Sequence, residues 1–320
     1  MIAQTVKGRR ASDKVHRYDK IRRLIFGVVV AAGLVTVAVL LWPAAEDVAT
    51  AYDGAPSWSP DGQRLVFSAE RDGQTDILVM SADGTGRRSL TTTPGEDGSP
   101  AFSPNGRRIA FETNRDGNFE IYTMDSEGHS PARVTNSPSI DRSPAWSPDG
   151  RRIAFLSDRD RPPNFDVYLM NADGSGLQRL TTAGTFWAPQ FSPDGKHLAV
   201  QGDRDIRVIT LADKAVKRLT FEPQNGMSPS WSPDGSRMVF ASTRNGRLEI
   251  FTMQADGSSQ DMLVSMPGAS VLDPRWSPDG ARVAFVQVPT LDEKAARDSS
   301  QPYAIYVIEI ESRRVRRLSP

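Results

Sequence analysis

Pro56-Ser57-Trp58-Ser59-Pro60-Asp61-Gly62 is the first of six copies of one phrase. It returns as PAFSPNG at 100–106, PAWSPDG at 144–150, PQFSPDG at 189–195, PSWSPDG at 229–235 and PRWSPDG at 274–280. The aromatics Trp58, Phe102, Trp146, Phe191, Trp231 and Trp276 are spaced by 44, 44, 45, 40 and 45 residues. A near-constant period of that length marks a repeat architecture, each unit being one supersecondary element. The phrase itself reads as a short strand running into a tight turn. Pro presets φ, Asp tolerates the next position and Gly takes positive φ.

Three more strands follow within each unit. Gln63-Arg64-Leu65-Val66-Phe67 and the Arg-Arg-Ile-Ala-Phe runs at 107–111 and 151–155 predict a second strand. A turn such as Arg115-Asp116-Gly117 or Arg244-Asn245-Gly246 leads to a third, as in Glu120–Met124 and Glu249–Met253. An Ala-Asp-Gly turn at 82–84, 172–174 and 255–257 leads to a fourth that ends in Arg-Leu-Thr or a near variant, as at 179–181 and 218–220. Four short antiparallel strands per unit make a propeller blade. One blade cannot bury both of its faces, whereas six stacked around an axis do, with the recurrent aromatics packed between neighbours. The fold class expected is all-β: a six-bladed β-propeller of four-stranded antiparallel blades over residues 55–320. Blade 1 starts at 55 and blade 6 ends at 319 with no strand left over, so closure is expected mainly by packing of blade 6 on blade 1.

The segment before the repeats has a different character. Residues 1–23 carry eight Lys or Arg against Asp13 and Asp19, and read as a basic cytoplasmic tail. Leu24–Trp42 is an apolar run of 19 residues broken only by Thr36. As a helix it would span about 28 Å, near the hydrocarbon thickness of a bilayer. Trp42 suits the interface and Pro43 ends the helix. The charge asymmetry puts the N-terminus in the cytoplasm and everything after the helix outside. Residues 24–42 are therefore expected to be a transmembrane signal-anchor helix preceding the propeller, with 43–54 as a linker. A cleaved signal peptide is the alternative, but its apolar core would be shorter, roughly 7–15 residues.

Composition excludes several chemistries. The 320 residues contain 39 basic and 39 acidic side chains, so the total charge gives no reason to expect nucleic acid. With no cysteine there are no disulfides, thiolate metal sites or Cys nucleophiles. The three histidines, His16, His129 and His197, fall in the tail and in two different blades. No nucleophile elbow, phosphate loop or zincin motif occurs. Most carboxylates sit in Asp-Gly turns, where the backbone accounts for them. No catalytic residue, metal ligand or cofactor is assigned.

One set of residues exceeds what the repeat needs. Three positions before the first Pro of the phrase stand Asp53, Asp97 and Asp141 in blades 1–3, and Phe186, Gly226 and Val271 in blades 4–6. Trp187 follows Phe186, and Asp273 lies close by in blade 6. The position precedes the innermost strand and should border the central channel. One reading has each Asp bonding backbone of a neighbouring blade. The other makes Asp53, Asp97, Asp141, Phe186, Trp187 and Asp273 a binding mouth for a basic peptide, a cationic group or a metal ion. The irregular links, Arg159–Asn164, Gly202–Arg204 and Pro289–Pro302, share that face and would flank the mouth.

At the six phrases, the Ile-Tyr-x-Met third strands and the Arg-Leu-Thr fourth strands, the chain resembles the TolB-like family of WD40-like propellers over roughly residues 53–319. The resemblance implies an extracytoplasmic propeller that holds a protein partner, as the type member holds a peptidoglycan-associated lipoprotein. That type member carries an α/β domain ahead of its propeller, for which Pro43–Gly54 leaves no room. The expected function is a membrane-anchored scaffold or receptor, periplasmic or extracellular, binding an envelope protein or peptide without catalysis. The alternative is a lyase or hydrolase-like enzyme acting on a carbohydrate or peptide at the channel mouth.

Overall fold

Six four-stranded antiparallel sheets, each built from consecutive strands, carry the six phrases. The computed structural model describes residues 52–71, 73–221, 225–289 and 303–319. The tail, the apolar run 24–42 and the insertion 290–302 lie outside them. No helix among the described residues is long and apolar enough to cross a membrane. Blade 1 begins at Tyr52, ahead of the boundary read from the phrase. The other first strands are Asp97–Phe102, Asp141–Trp146, Trp187–Phe191, Met227–Trp231 and Ala269–Trp276. Each touches the first strands of both neighbouring blades, blade 6 against blade 1 included, so these strands line the axis of a closed ring.

The turn after each phrase is held by its own Ser and Asp. Ser59 Oγ donates to Asp61 Oδ1 at 2.5 Å and accepts from the Arg64 amide at 2.9 Å. The Gln63 amide donates to Asp61 Oδ1 at 3.0 Å. Blade 2 keeps the pattern with Asn105 in place of Asp. Ser hydroxyls and turn amides hold Asp61, Asp149 and Asp194 below the usual carboxylate range, and Asp234 is drawn down to about 2. A carboxyl whose folded pKa lies below its unfolded value of about 3.9 stabilises the fold above that pH and loses its contribution as pH falls through the folded value. The urea midpoint is therefore expected to fall between about pH 4 and pH 2. An Asp234→Asn variant, imitating blade 2, should show a shallower fall over that window. An unchanged slope would mean that the turn carboxylate does not favour the folded state.

The Arg-Leu-Thr ending has a different cause from the strand read in the sequence. The fourth strand of blade 3 is only Gln178–Arg179. Beyond it Thr181 Oγ1 accepts from the Val167 amide at 2.9 Å and donates to Asp166 at 2.9 Å, while Arg179 donates to the same carboxylate at 2.6 Å. Thr135 and Arg133 treat Glu120 the same way. The motif ties the outer strand to the acid that opens the third strand.

Burial lies between blades. Each apolar cluster draws on two adjacent sheets; one joins Val66, Ile77 and Leu90 of blade 1 to Phe102, Phe111 and Met124 of blade 2. The deepest rings come from the second strands: Phe67, Phe111, Phe155, Phe240 and Phe285, all fully buried. The phrase aromatics pack farther out, and Trp146 and Trp231 are half-buried. Closure uses the same packing. Trp58, Leu65, Phe67 and Met80 meet Ala284, Ile305, Val307 and Leu318. Trp58 Nε1 donates to the Arg275 carbonyl at 3.1 Å, and the Arg282 guanidinium lies 4.7 Å from the Trp58 ring centre. Among the described residues no strand is exchanged between the first and last sheets.

A bulge marks every first strand. The residue before its Pro takes positive φ: Ala55 at 49°, Ser99 at 50°, Ser143 at 54°, Ala188 at 50°, Ser228 at 48° and Asp273 at 51°. Pro bars the preceding residue from the right-handed helical region. The bulge turns three of these amides onto the preceding blade: Ser99 N donates to Ser68 Oγ, Ser143 N to Glu112 Oε2 and Ser228 N to Gln201 Oε1.

Candidate functional site

Asp97 opens the first strand of blade 2 and pairs across the sheet with Thr113. Its side chain is fully buried, and both carboxylate oxygens accept from Arg115 Nη2 at 3.1 Å. Arg115 Nε donates to Thr113 Oγ1 at 3.1 Å, and its guanidinium lies over Phe111 and Tyr122. Blade 3 repeats the stack: Arg159 Nη2 reaches both oxygens of Asp141, at 3.0 and 2.9 Å, above Phe155 and Tyr168. In blade 1 Asp53 receives two bonds from Arg87, at 2.6 and 2.5 Å, over Phe67. The three carboxylates thus pair with arginines of their own blades, rather than with a neighbour's backbone. Carboxylates neutralised this way do not make half of the mouth acidic. What reaches solvent is part of each arginine, with 17, 14 and 20% of the Arg87, Arg115 and Arg159 side chains accessible.

Blades 4–6 lack the acid, and each fills the position differently. Phe186, expected at the mouth, is buried in the core beside Leu156, Val167 and Val200. The reason is visible in the second strand of blade 4, where Val200 replaces the Phe of the other blades. Phe186 supplies the missing ring from the link, and Arg207 sits 5.6 Å from its centre as the other arginines sit over theirs. Gly226 in blade 5 leaves no room for a side chain: a Cβ there would lie 2.8 Å from Thr220 Oγ1 and 2.9 Å from Ile206 Cγ1. Arg244 keeps its place over Phe240 and Phe251 and donates to Gln260 at 2.7 Å. Val271 is buried. Of the residues singled out in the sequence, Trp187 and Asp273 remain half-exposed. Asp273 Oδ1 accepts from Ser228 Oγ at 2.7 Å. The residues missed were Arg87, Arg115 and Arg159. The signal for the latter two was the Arg heading the turn after the second strand.

Burial pushes the Asp141 carboxyl up, and bonds from Ser157 and Arg159 pull against it. Removing its charge leaves Arg159 partly buried without a counter-ion. Asp141→Asn should cost about 2–3 kcal/mol, below a fully buried pair because part of the arginine is wet. Urea unfolding measures it, and a cost under about 0.5 kcal/mol would mean that the pair behaves as a surface ion pair.

Among the described residues no group of three His, Asp or Glu side chains is placed to hold a metal ion. The fold and this site define an all-β propeller in which blades 1–3 carry acid–arginine–aromatic stacks on the link face, built on an acid that blades 4–6 lack. The pattern of the TolB beta propeller domain matches residues 46–116, 85–200 and 182–301, and the chain belongs to that family. The Tol-Pal system protein TolB of Syntrophus aciditrophicus is 47% identical over 38 residues, 12% of this chain and 8% of that protein. The chain thus matches less than a tenth of that relative's length. A TolB structure from Agrobacterium tumefaciens superposes with a TM-score of 0.64 at 24% identity, covering 73% of this chain and 84% of the other. TolB from Acinetobacter baumannii gives 0.61 at 26% identity, covering 71% and 57%.

Proposed function

We infer that the protein is a binding scaffold of the cell envelope, its propeller held outside the cytoplasm by the 24–42 helix and gripping a protein or peptide partner. The observation that carries this reading is the contrast between the two faces. The Ser-Pro-Asp-Gly face repeats one bond pattern six times, whereas the link face varies, with acid–arginine stacks in blades 1–3 and Phe186, Gly226 and Val271 at the same position in blades 4–6. Variable links on a rigid repeat scaffold are where such proteins place recognition. Membership of the TolB propeller family, with relatives named for the Tol-Pal system, supports an envelope protein as partner.

The link face is assigned two kinds of residue. Asp53, Asp97, Asp141 and Phe186 hold the frame, while Trp187 and Asp273 and the exposed parts of the arginines meet the partner. The test is cross-linking capture by the full chain in its own membrane, with Trp187→Ala and Asp273→Asn as variants. Loss of most of the captured partner in both variants, with unfolding midpoints unchanged, is the expected result. Full capture by both, or recovery of a soluble form beginning near Ala45, would overturn the reading of the face or of the anchor respectively.

A further inference from the structure

The residue between Pro and the aromatic of each phrase lies on the innermost strand, and five of the six are Ser57, Ala101, Ala145, Gln190 and Ser230. The sixth is Arg275. A cavity of about 240 Å³ lies there, lined by Ser57, Gln190, Ser230 and Arg275 together with Trp58, Trp231 and Trp276. Blades 1 and 4 stand opposite each other in a ring of six, so a cavity touching both lies on the axis. Its Ser277, Pro278 and Pro233 walls place it at the Ser-Pro-Asp-Gly end, away from the link face.

Its one charged side chain among the described residues is a cation, and two of its serines have protons to give. Arg275 gives one hydrogen bond, to the Pro274 carbonyl at 2.9 Å, and makes no ion pair within 4.0 Å among the described residues. Asp273, the nearest acid felt by this guanidinium, bonds to Ser228 instead. Ser57 Oγ accepts from the Phe102 amide at 3.4 Å and Ser230 Oγ from the Trp276 amide at 3.2 Å. A hydroxyl that accepts from an amide keeps its own proton to give. Neither serine gives its proton to another described residue. Among the described residues no Asp or Glu lines the cavity. Burial disfavours the charged Arg275, with Asp273 opposing in part. An entering anion would restore the hydrogen bonds that this cation lacks.

We propose that the Ser-Pro-Asp-Gly end of the channel is a carboxylate-binding site, in which Arg275 grips the anion and Ser57 and Ser230 donate to it. The planar guanidinium matches a carboxylate with paired bonds. The indole walls favour an apolar group beside the charge. A chain-terminal carboxylate and a small free acid share this chemistry.

Three tryptophans in the wall make the full chain its own reporter. N-acetylalanine and succinate, titrated separately at constant ionic strength, are expected to change the tryptophan emission with saturation. N-acetylalanine amide and chloride should not. Tighter binding of N-acetylalanine points to a chain end, and tighter binding of succinate to a free diacid. Arg275→Gln should weaken binding at least about tenfold, as loss of a charge-assisted pair does. Ser230→Ala, a milder change, should weaken it about threefold, with a lower unfolding midpoint because the Trp276 amide loses its acceptor. The proposal fails if acid and amide act alike, if inorganic phosphate binds more tightly than either carboxylate, or if Arg275→Gln and Ser230→Ala both bind as the parent does. Because the site lies at the opposite end from the link face, Trp187→Ala should leave the titration unchanged, so its outcome is separable from that of partner capture.

Discussion

Gly84→Ala is expected to loosen the ring at its seam and to cost about 3–4 kcal/mol. Gly84 ends the Ala-Asp-Gly turn of blade 1 at φ +92°, and a Cβ there would lie 2.5 Å from the carbonyl oxygen of Leu318 in blade 6. No flexible side chain is available to give way, so backbone must move. Two Arg316 bonds to the carbonyls of Ala82 and Asp83 cross the same seam. Gly128 meets Leu90 O and Gly174 meets Val134 O in the same manner, each at 2.6 Å. The turn glycine is therefore an inter-blade contact as well as a turn residue. Gly246→Ala is the control: its φ is +89°, but nothing lies within 4 Å of the added atom. Only backbone strain of about 1–2 kcal/mol should appear there. Urea unfolding of the full chain measures both, and equal costs would show that the seam yields freely.

Phe155→Ala should cost about 3–5 kcal/mol, the range of large core truncations. The ring is fully buried with Ala110 and Ile121 of blade 2 and Ile153, Tyr168 and Met170 of its own blade. It also lies beneath the Arg159 guanidinium at 5.6 Å, so truncation undercuts the stack that holds Asp141. Trp146→Ala should cost less, about 1.5–3 kcal/mol. Trp146 is half-buried, and its indole N–H is buried with no acceptor. If Trp146 proves the costlier of the two, the phrase aromatic and not the second-strand Phe is the main wedge between blades.

The repeat made the architecture readable because a phrase that recurs is also a geometry that recurs. Blade number, strand order and closure by packing all follow from counting it. The side chains around the mouth were less readable, for a physical reason. Asp97 looks free in sequence because its partner Arg115 lies 18 positions away, across a hairpin whose register the phrase does not reveal. Phe186 looks exposed because it occurs in a link, and its burial is forced by Val200, a substitution in another strand. Blade 1 shows the same limit from the other side. Its stack draws Arg87 from beyond the third strand, whereas blades 2 and 3 draw theirs from the turn before it. Arg275 was quoted inside its phrase, but only the cavity it shares with Ser57, Gln190 and Ser230 gives the charge a meaning.

Every sheet is built from consecutive strands, and the seam between blades 6 and 1 is packed by an apolar cluster as the other junctions are. The ring therefore has no structural first or last unit. Any blade boundary is equivalent as a place for chain ends, and a circular permutant opened at one of them would keep all six hydrogen-bonded sheets intact. Whole blades also become the natural unit of gain and loss. Duplicating or deleting one changes the number of wedges around the axis without re-threading a strand, so the curvature at each junction, rather than strand pairing, fixes the number at six.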